Sequence, residues 1–231
     1  MDMTSTVISR SSKLTPPGRV VSVSVSRPRT IAWHGRTVTS AIWKEPVNGR
    51  VAVRSVNLAG DDQADRKAHG GPDKAVYAYA LSDYRFWESE LDRPLAPGLF
   101  GENLTLDDVD VNGARIGERW QIGSALLEVS QPRVPCYKLG IRLEDPDFPR
   151  RFAAAGRPGA YLRIVREGSV ETGDAVSIVY RPGHEVTVAF VARAYHADRS
   201  LVPRLLDVPE LSSSWRDWAA RLLRGRELIT G

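Results

Sequence analysis

Glu118 to Gly140 reads ERWQIGSALLEVSQPRVPCYKLG, and two patterns meet in it. From Glu118 to Ser130 apolar and polar residues flank Gly123-Ser124, which predicts a β-hairpin turning there. The next stretch is a stiff loop, because Pro132 and Pro135 fix φ and remove two backbone donors. It carries Cys136, the only cysteine of the chain, between Arg133 and Lys138. Outward from the hairpin, GRVVSVSVSR from Gly18 to Arg27 alternates Val with Ser and predicts a strand with one wet face. Val38 to Trp43, Val51 to Val56, Lys74 to Ala80 (KAVYAYA), Tyr161 to Val165 and Ala175 to Tyr180 are further strand candidates. SDYRFWESEL predicts a helix from Ser82 to Leu91 with Ser82 as its N-cap. Asp147 to Ala155 predicts a short helix stopped by Gly156. Short strands in this number, split by Gly/Pro turns, point to a mixed α+β class dominated by a β-barrel.

The pattern changes after the turn Arg181-Pro182-Gly183. Val188 to His196, Leu201 to Leu206 and Trp215 to Leu223 read as helices, with Ser212 to Ser214 offering caps for the last. Trp215 and Trp218 share one helix face and read as the packing of this appendage onto the barrel. The expected organisation is a disordered leader over 1–17, a barrel domain over 18–183 and three helices over 184–231.

Composition narrows the function classes. The chain has 231 residues, 42% of them hydrophobic, which suits a globular core. One cysteine excludes an internal disulfide framework and fits a reducing, cytoplasmic setting. No apolar run approaches the 18 or more residues a membrane span needs. The polar first sixteen residues lack the apolar core of a secretory signal. The net charge of +4 and a sequence pI of about 9.4 allow attraction to anions. The basic residues are scattered without interleaved aromatics, which points away from nucleic acid.

Three stretches carry chemistry. Arg133 and Lys138 would favour a thiolate at Cys136, either as a nucleophile or as a soft metal ligand. There is no C-x-x-C, and His34, His69, His184 and His196 are far apart, so a zinc site has no ligand set. Two uses stay open: one bond to a metal held mainly by its own cofactor, or a Cys–His pair with His69 as base. The second stretch, GDDQADRKAHGGPDKAV from Gly60 to Val76, gathers acids around Lys67, His69 and Lys74. Its Gly70-Gly71-Pro72 turn would let backbone N–H groups approach an anion. Two of the five lysines are here and a third is Lys138. The third stretch, GLFGENLTL from Gly98 to Leu106, offers Glu102 and Asn103 as a turn cap or ligand contact. Phosphate-binding glycine loops, H-E-x-x-H and G-x-S-x-G are absent.

Taken in order, GDDQADRKAHGGPDKAV, GLFGENL, the Q-P-R-x-P-C-x-K block and GRPGAYLRIV (Gly156 to Val165) resemble the MOSC family, in its YiiM-like branch. The family is named after the C-terminal domain of molybdenum cofactor sulfurase. The likeness covers roughly residues 45 to 180, and the helical tail resembles the three-helix domain that follows MOSC in that branch. The resemblance implies a protein that binds the molybdenum cofactor (Mo-molybdopterin) through Cys136, whose sulfur would ligate the metal or carry sulfur. It implies cofactor contacts at Gly70, Gly71, Lys74, Glu102, Asn103, Gln131, Arg133, Lys138 and Arg163. His69 and Asp73 become candidates for proton handling. The implied activity is reduction of N-hydroxylated compounds such as N-hydroxylated bases; a carrier of cofactor or sulfur without turnover is the alternative. No iron–sulfur spacing or flavin fingerprint is present. A reductase would therefore draw electrons from a separate flavin or iron–sulfur protein. The oligomeric state stays open.

Overall fold

The computed structural model describes residues 17–63 and 70–230, the last five as backbone only. Residues 1–16 of the leader expected over 1–17, and His69, lie outside the described residues. Thirteen strands form: β1 Gly18–Val25, β2 Arg29–Trp33, β3 Arg36–Ser40, β4 Glu45–Pro46, β5 Val51–Arg54, β6 Asn57–Leu58, β7 Val76–Ala80, β8 Leu104–Asp107, β9 Arg119–Ile122, β10 Ala125–Pro132, β11 Ala160–Arg166, β12 Gly168–Val170 and β13 Ala175–Tyr180. Among the described residues five α-helices accompany them: α1 Leu81–Leu91, α2 Tyr137–Leu143, α3 Phe148–Ala154, α4 Val188–His196 and α5 Ser213–Thr230. Seven strands close a barrel in the order β1-β8-β7-β11-β10-β9-β13 and back to β1, with β4 beside β1. Every barrel pairing is antiparallel except β7–β8, which is parallel with Ala78 opposite Leu104. α1 follows β7 and precedes β8, as a parallel pair requires of its connection.

KAVYAYA shows how the sequence makes two cores from one strand. Successive side chains of a strand point to opposite faces. Val76, Ala78 and Ala80 face the barrel interior, beside Leu104, Leu106, Trp120 and Leu127. Tyr77 and Tyr79 face the other way, into an aromatic cluster with Tyr84, Trp87, Phe100, Phe148 and Phe152. That cluster lies under α1, α2 and α3. Trp87 stacks on Phe152 at 5.8 Å and 4°, and its indole N–H donates to the Tyr79 hydroxyl at 2.9 Å. Gly159 is needed where β11 meets β7: its φ is 66°, and a Cβ there would lie 2.7 Å from the Ala78 carbonyl oxygen.

Several expectations change. β1 has no wet face at its serines: Ser22 and Ser24 are buried, 3.2 Å apart through their hydroxyls. The register with β8 shifts between Val20 and Ser22, so the period-two pattern slips by one residue. The Val38–Trp43 strand ends at Ser40. Val51–Val56 turns at Ser55, with φ 55°, into β6. Ser82 does not cap α1; the helix leaves β7 directly, with Ala80 at the cap position. The expected helix Leu201–Leu206 is a 3-10 helix over Arg199–Leu205, where Pro203 lacks the N–H an α-helix would use. The hairpin at Gly123-Ser124, β13 and α4 form where the sequence puts them. Side chains of α4, the 3-10 helix and α5 (Val191, Val202, Leu205, Trp215, Ala219) join the barrel cluster itself. No helix among the described residues is long and apolar enough to cross a membrane.

Candidate functional site

Cys136 sits where β10 ends and α2 begins. β10 pairs with β11 through Pro132 opposite Ala160, and the chain then runs four residues to the helix. Cys136 is half-buried and occupies the cap position of α2. It lines two neighbouring cavities. Lys74, Val134 and Tyr161 line both as well.

The first cavity, of about 110 Å³, is polar and cationic. Lys44, Lys74, Arg133 and Lys138 line it, with Asp61 and Asn103. Three of the chain's five lysines therefore meet in one place. The Lys44 ammonium lies 2.7 Å from Asp61 Oδ2, and the two side chains are 9% and 3% exposed. Asp61 also accepts from the Ser26 N–H at 2.8 Å and from Asn103 Nδ2 at 2.9 Å. Burial pushes the Lys44 ammonium below its ordinary range, against the opposing pull of Asp61 and Glu102.

Arg133 is 7% exposed, and its guanidinium donates to the Phe100 carbonyl at 2.7 Å. It lies over the rings of Tyr77 and Phe152, 5.2 and 5.5 Å from their centroids. Among the described residues no carboxylate comes within ion-pair distance of it. Burial opposes its charge, yet the guanidinium stays ionised, held by its bond to Phe100 and by the faces of the two rings. Tyr161 is itself pushed up, first by burial, so its phenol remains a donor.

The second cavity, of about 310 Å³, is mainly apolar. Tyr195 of α4 and Trp215 and Trp218 of α5 wall it, with Gln131 of β10 and Ser214 beside them. Gln131 pairs with Tyr161 across the β10–β11 ladder. Its side-chain oxygen is buried and has no hydrogen-bond partner among the described residues.

The predicted residues fall into three groups. Cys136, Lys74, Asn103, Gln131, Arg133 and Lys138 line one or both cavities. Asp73 and Arg163 line neither; they bind each other at 2.8 Å, and Arg163 also reaches Glu128 at 2.9 Å and the Glu210 carbonyl at 2.9 Å. These two tie the barrel to the segment before α5 and are not brought to the thiol. Glu102 is also away from the cavities, fully buried, accepting from the Gly98 N–H and the Tyr84 and Thr105 hydroxyls. Gly70 and Gly71 line neither cavity. Gly71 has φ 94° and open space around its Cβ position, so conformation alone demands glycine there. Its N–H is taken by the Gln63 side chain at 3.1 Å, not aimed at an anion. Lys44, Asp61, Tyr161 and Tyr195 are residues that sequence reasoning missed. The scarcity of lysine is the one signal that points to Lys44.

No three His, Cys, Asp or Glu side chains converge as a metal site among the described residues. What the thiol and its cationic neighbours suit is a soft metal carried on an anionic organic group. The buried Arg133 has no carboxylate partner among the described residues, so an anion bound in that cavity would complete the neutralisation of its charge.

The MOSC domain matches residues 65–177. The chain is 36% identical over 200 residues to the uncharacterized protein YflK of Bacillus subtilis (strain 168), spanning 85% of this chain and 90% of that one. It is 34% identical over 194 residues to protein YiiM of Escherichia coli (strain K12), spanning 81% and 86%. A protein of Gibberella moniliformis named reductase shares 34% identity over 187 residues, 78% of this chain but 33% of that longer protein. The crystal structure of YiiM from Geobacillus stearothermophilus superposes with a TM-score of 0.74 at 33% identity, covering 89% of this chain and 98% of that one.

Proposed function

The chain belongs to the MOSC domain family, in its YiiM-like branch, and from that premise we propose that it is a molybdenum-cofactor enzyme that reduces N-hydroxylated compounds. The family at large is associated with molybdenum cofactor binding or sulfuration. One observation carries the reading to this chain: the half-buried Cys136 faces a buried guanidinium, Arg133, that has no carboxylate among the described residues. That pairing provides a soft donor and an unmet positive charge in one cavity.

Cys136 would hold the metal by one thiolate bond. Arg133 and Lys138 would hold the anionic part of the cofactor, Arg133 already fixed by Phe100 and two rings. Lys44 is neutralised by Asp61, so that pair shapes the cavity and leaves its positive field to Arg133 and Lys138. Bound, the cofactor supplies a metal centre able to take up an oxygen atom and exchange two electrons. The net reaction breaks N–O, forms N–H and releases water, consuming two electrons and two protons. Tyr161, kept protonated by burial and lining both cavities, is a hydrogen-bond donor beside the thiol. The electrons come from a separate protein carrying flavin or iron–sulfur. The relative named reductase supports an oxidoreductase reading.

The test is molybdenum content by elemental analysis, for the natural chain and Cys136→Ser, each made in a cofactor-competent and a cofactor-deficient host. Near-stoichiometric molybdenum is expected only in the natural chain from the competent host, with turnover of an amidoxime when an artificial reductant is added. No molybdenum in any sample, even after reconstitution with fresh cofactor, overturns the cofactor reading. Molybdenum without turnover overturns the enzyme reading and leaves a carrier.

A further inference from the structure

Two arginines outside both cavities have no role in the site described above. We propose that Arg29 of β2 and Arg142 of α2 form a separate anion site, built for a phosphate-type dianion that clasps the β2–β3 hairpin onto α2. The inference goes beyond the reductase reading and does not depend on it.

The first observation is a missing partner. Arg142 is half-buried, and its Nε is fully buried with no hydrogen-bond partner among the described residues. A buried N–H of a charged group left unpaired costs free energy that a bound acceptor restores.

The second is the charge opposite. Burial, and after it the like charge of Arg29, push the Arg142 guanidinium below its ordinary range; Glu45 opposes them, and Tyr84 and Glu102 do so more weakly. A guanidinium stays protonated through such a shift, so two like charges confront each other. Arg29 is held in that position. It donates to the Trp43 carbonyl at 3.1 Å and lies 5.1 Å from the centre of the Trp43 ring. Glu45, 3.4 Å from Arg29 and 74% exposed, can offset one of the two charges and leaves the other.

The third is the architecture. β2 and β3 pair with each other and with no barrel strand. In their register Arg29 stands opposite Ser40, on the face that buries Ser40 and Val38. Thr30, Ala32, Thr37 and Thr39 make the exposed face. Arg29 therefore sits on the side turned to the body of the protein. From Gly18 to Lys44 the chain has four arginines, one lysine and no acid, so the ribbon brings no counter-charge of its own. Ser40 and Ala41, at its end, line the cationic cavity, as does Lys138, one turn before Arg142 on α2. An anion between the two arginines would join the elements that form that rim.

Each guanidinium offers a fork of N–H groups. Two forks from different elements suit the several oxygens of a phosphate better than the two of one carboxylate. Two sources carry that chemistry: inorganic phosphate and the phosphate of a bound cofactor.

The probe is inorganic phosphate, titrated calorimetrically into the full chain from a cofactor-deficient host, with ionic strength held constant by chloride. Phosphate is expected to bind, and acetate about tenfold more weakly. Arg29→Gln and Arg142→Gln should each weaken phosphate about tenfold, the worth of one charge-assisted contact. Arg36→Gln, at the exposed far end of the same ribbon, should stay within about twofold of the natural chain. Replacing chloride by phosphate should widen the gap in melting temperature between the natural chain and each of the two site variants. Amide exchange in β2 and β3 should slow at the same time. Absence of phosphate binding, equal binding of acetate, or an equal loss in Arg36→Gln overturns the site. So does a melting gap that is the same in both salts, which marks arginines that only pack. The cofactor-loaded chain identifies the source. Phosphate binding that persists there assigns the site to a free anion. Binding that is lost there, with molybdenum content falling in Arg142→Gln, assigns it to the cofactor's own phosphate. Both results uphold the site, and neither uses turnover, so the reductase reading stands or fails separately.

Discussion

The two walls that meet at Cys136 are built by opposite means. The cationic wall comes from strand ends and loops of the barrel, and its charges are fixed by long-range polar contacts: Lys44 by Asp61, Asn103 by Asp61 and the Tyr77 N–H, Arg133 by Phe100. The aromatic wall comes from helices that follow the barrel, and rings packed on rings hold it. Charge must be pre-positioned by partners, because a mobile buried ion costs more in desolvation than it returns. Rings need only a firm backing, here the barrel core and Arg199. The thiol at the seam can thus address a charged group and a flat one at once, with each side altered independently.

The largest expected effect comes from breaking the charged wall at Lys44. Lys44→Met keeps the stem but leaves Asp61, 3% exposed, with the neutral donors Ser26 N–H and Asn103 as its side-chain partners among the described residues. Stability should fall by about 3–5 kcal/mol, the usual result of stranding one member of a buried pair. The urea midpoint reads this directly. Lys44→Met with Asp61→Asn should recover part of the loss, since both ionised groups then go together. A single-variant loss below about 1 kcal/mol would mean the pair is not an anchor and the two walls are less different than they look.

Arg163 is a polar tie between the barrel and the segment before α5, alongside the bond from the Ser212 N–H to the Ser130 carbonyl, and cutting it is the second prediction. Arg163 stands opposite Glu128 in the β10–β11 register and donates to Asp73, Glu128 and the Glu210 carbonyl. Arg163→Met removes all three. A loss of about 2 kcal/mol is expected, in line with charge-assisted bonds to a part-exposed group. Amide exchange should quicken in α5 before it does around Trp87 and Phe152, whose stacking does not involve Arg163. Uniform acceleration across the chain would show that the helices and barrel open as one unit.

The sequence revealed more of the barrel than of its walls. Strands such as KAVYAYA and the hairpin at Gly123-Ser124 carry their own local signals of period and turn. GRVVSVSVSR misled because its period is right while a register shift and cover on both sides bury the serines. The site was legible at Cys136 and its flanks, where rare residues stand close together. It was not legible at Lys44, which lies in an ordinary IWKEPV and acquires its partner seventeen positions away only on folding. Arg163 and Asp73 looked like ligand contacts because a sequence shows charges without showing which satisfy each other; these two are ninety positions apart. Trp215 and Trp218 announced a buried face correctly, but a helix face cannot say whether it ends against side chains or against a space.

Glu102 gives the smallest effect and the finest test of the charged side. It sits behind that wall, fully buried, with Oε1 accepting three hydrogen bonds and Oε2 accepting none. Burial raises its carboxyl above the ordinary value of 4.5, and the hydrogen bonds from Tyr84, Gly98 and Thr105 pull it partly back. A carboxyl held higher in the folded chain keeps its proton after the unfolded chain has lost it. Its contribution to stability is therefore level below 4.5, falls as pH rises from there, and levels again above the folded value. Glu102→Gln has no proton to lose. The stability of the natural chain relative to Glu102→Gln should thus decline with pH across that window, in urea titrations from about pH 4 to pH 8. A difference that instead grows with pH would mean the three donors outweigh burial and hold an ionised carboxylate. The charged wall would then contain an anion behind Lys44 as well as one beside it, and Arg133 and Lys138 would carry the positive charge left for a ligand to neutralise.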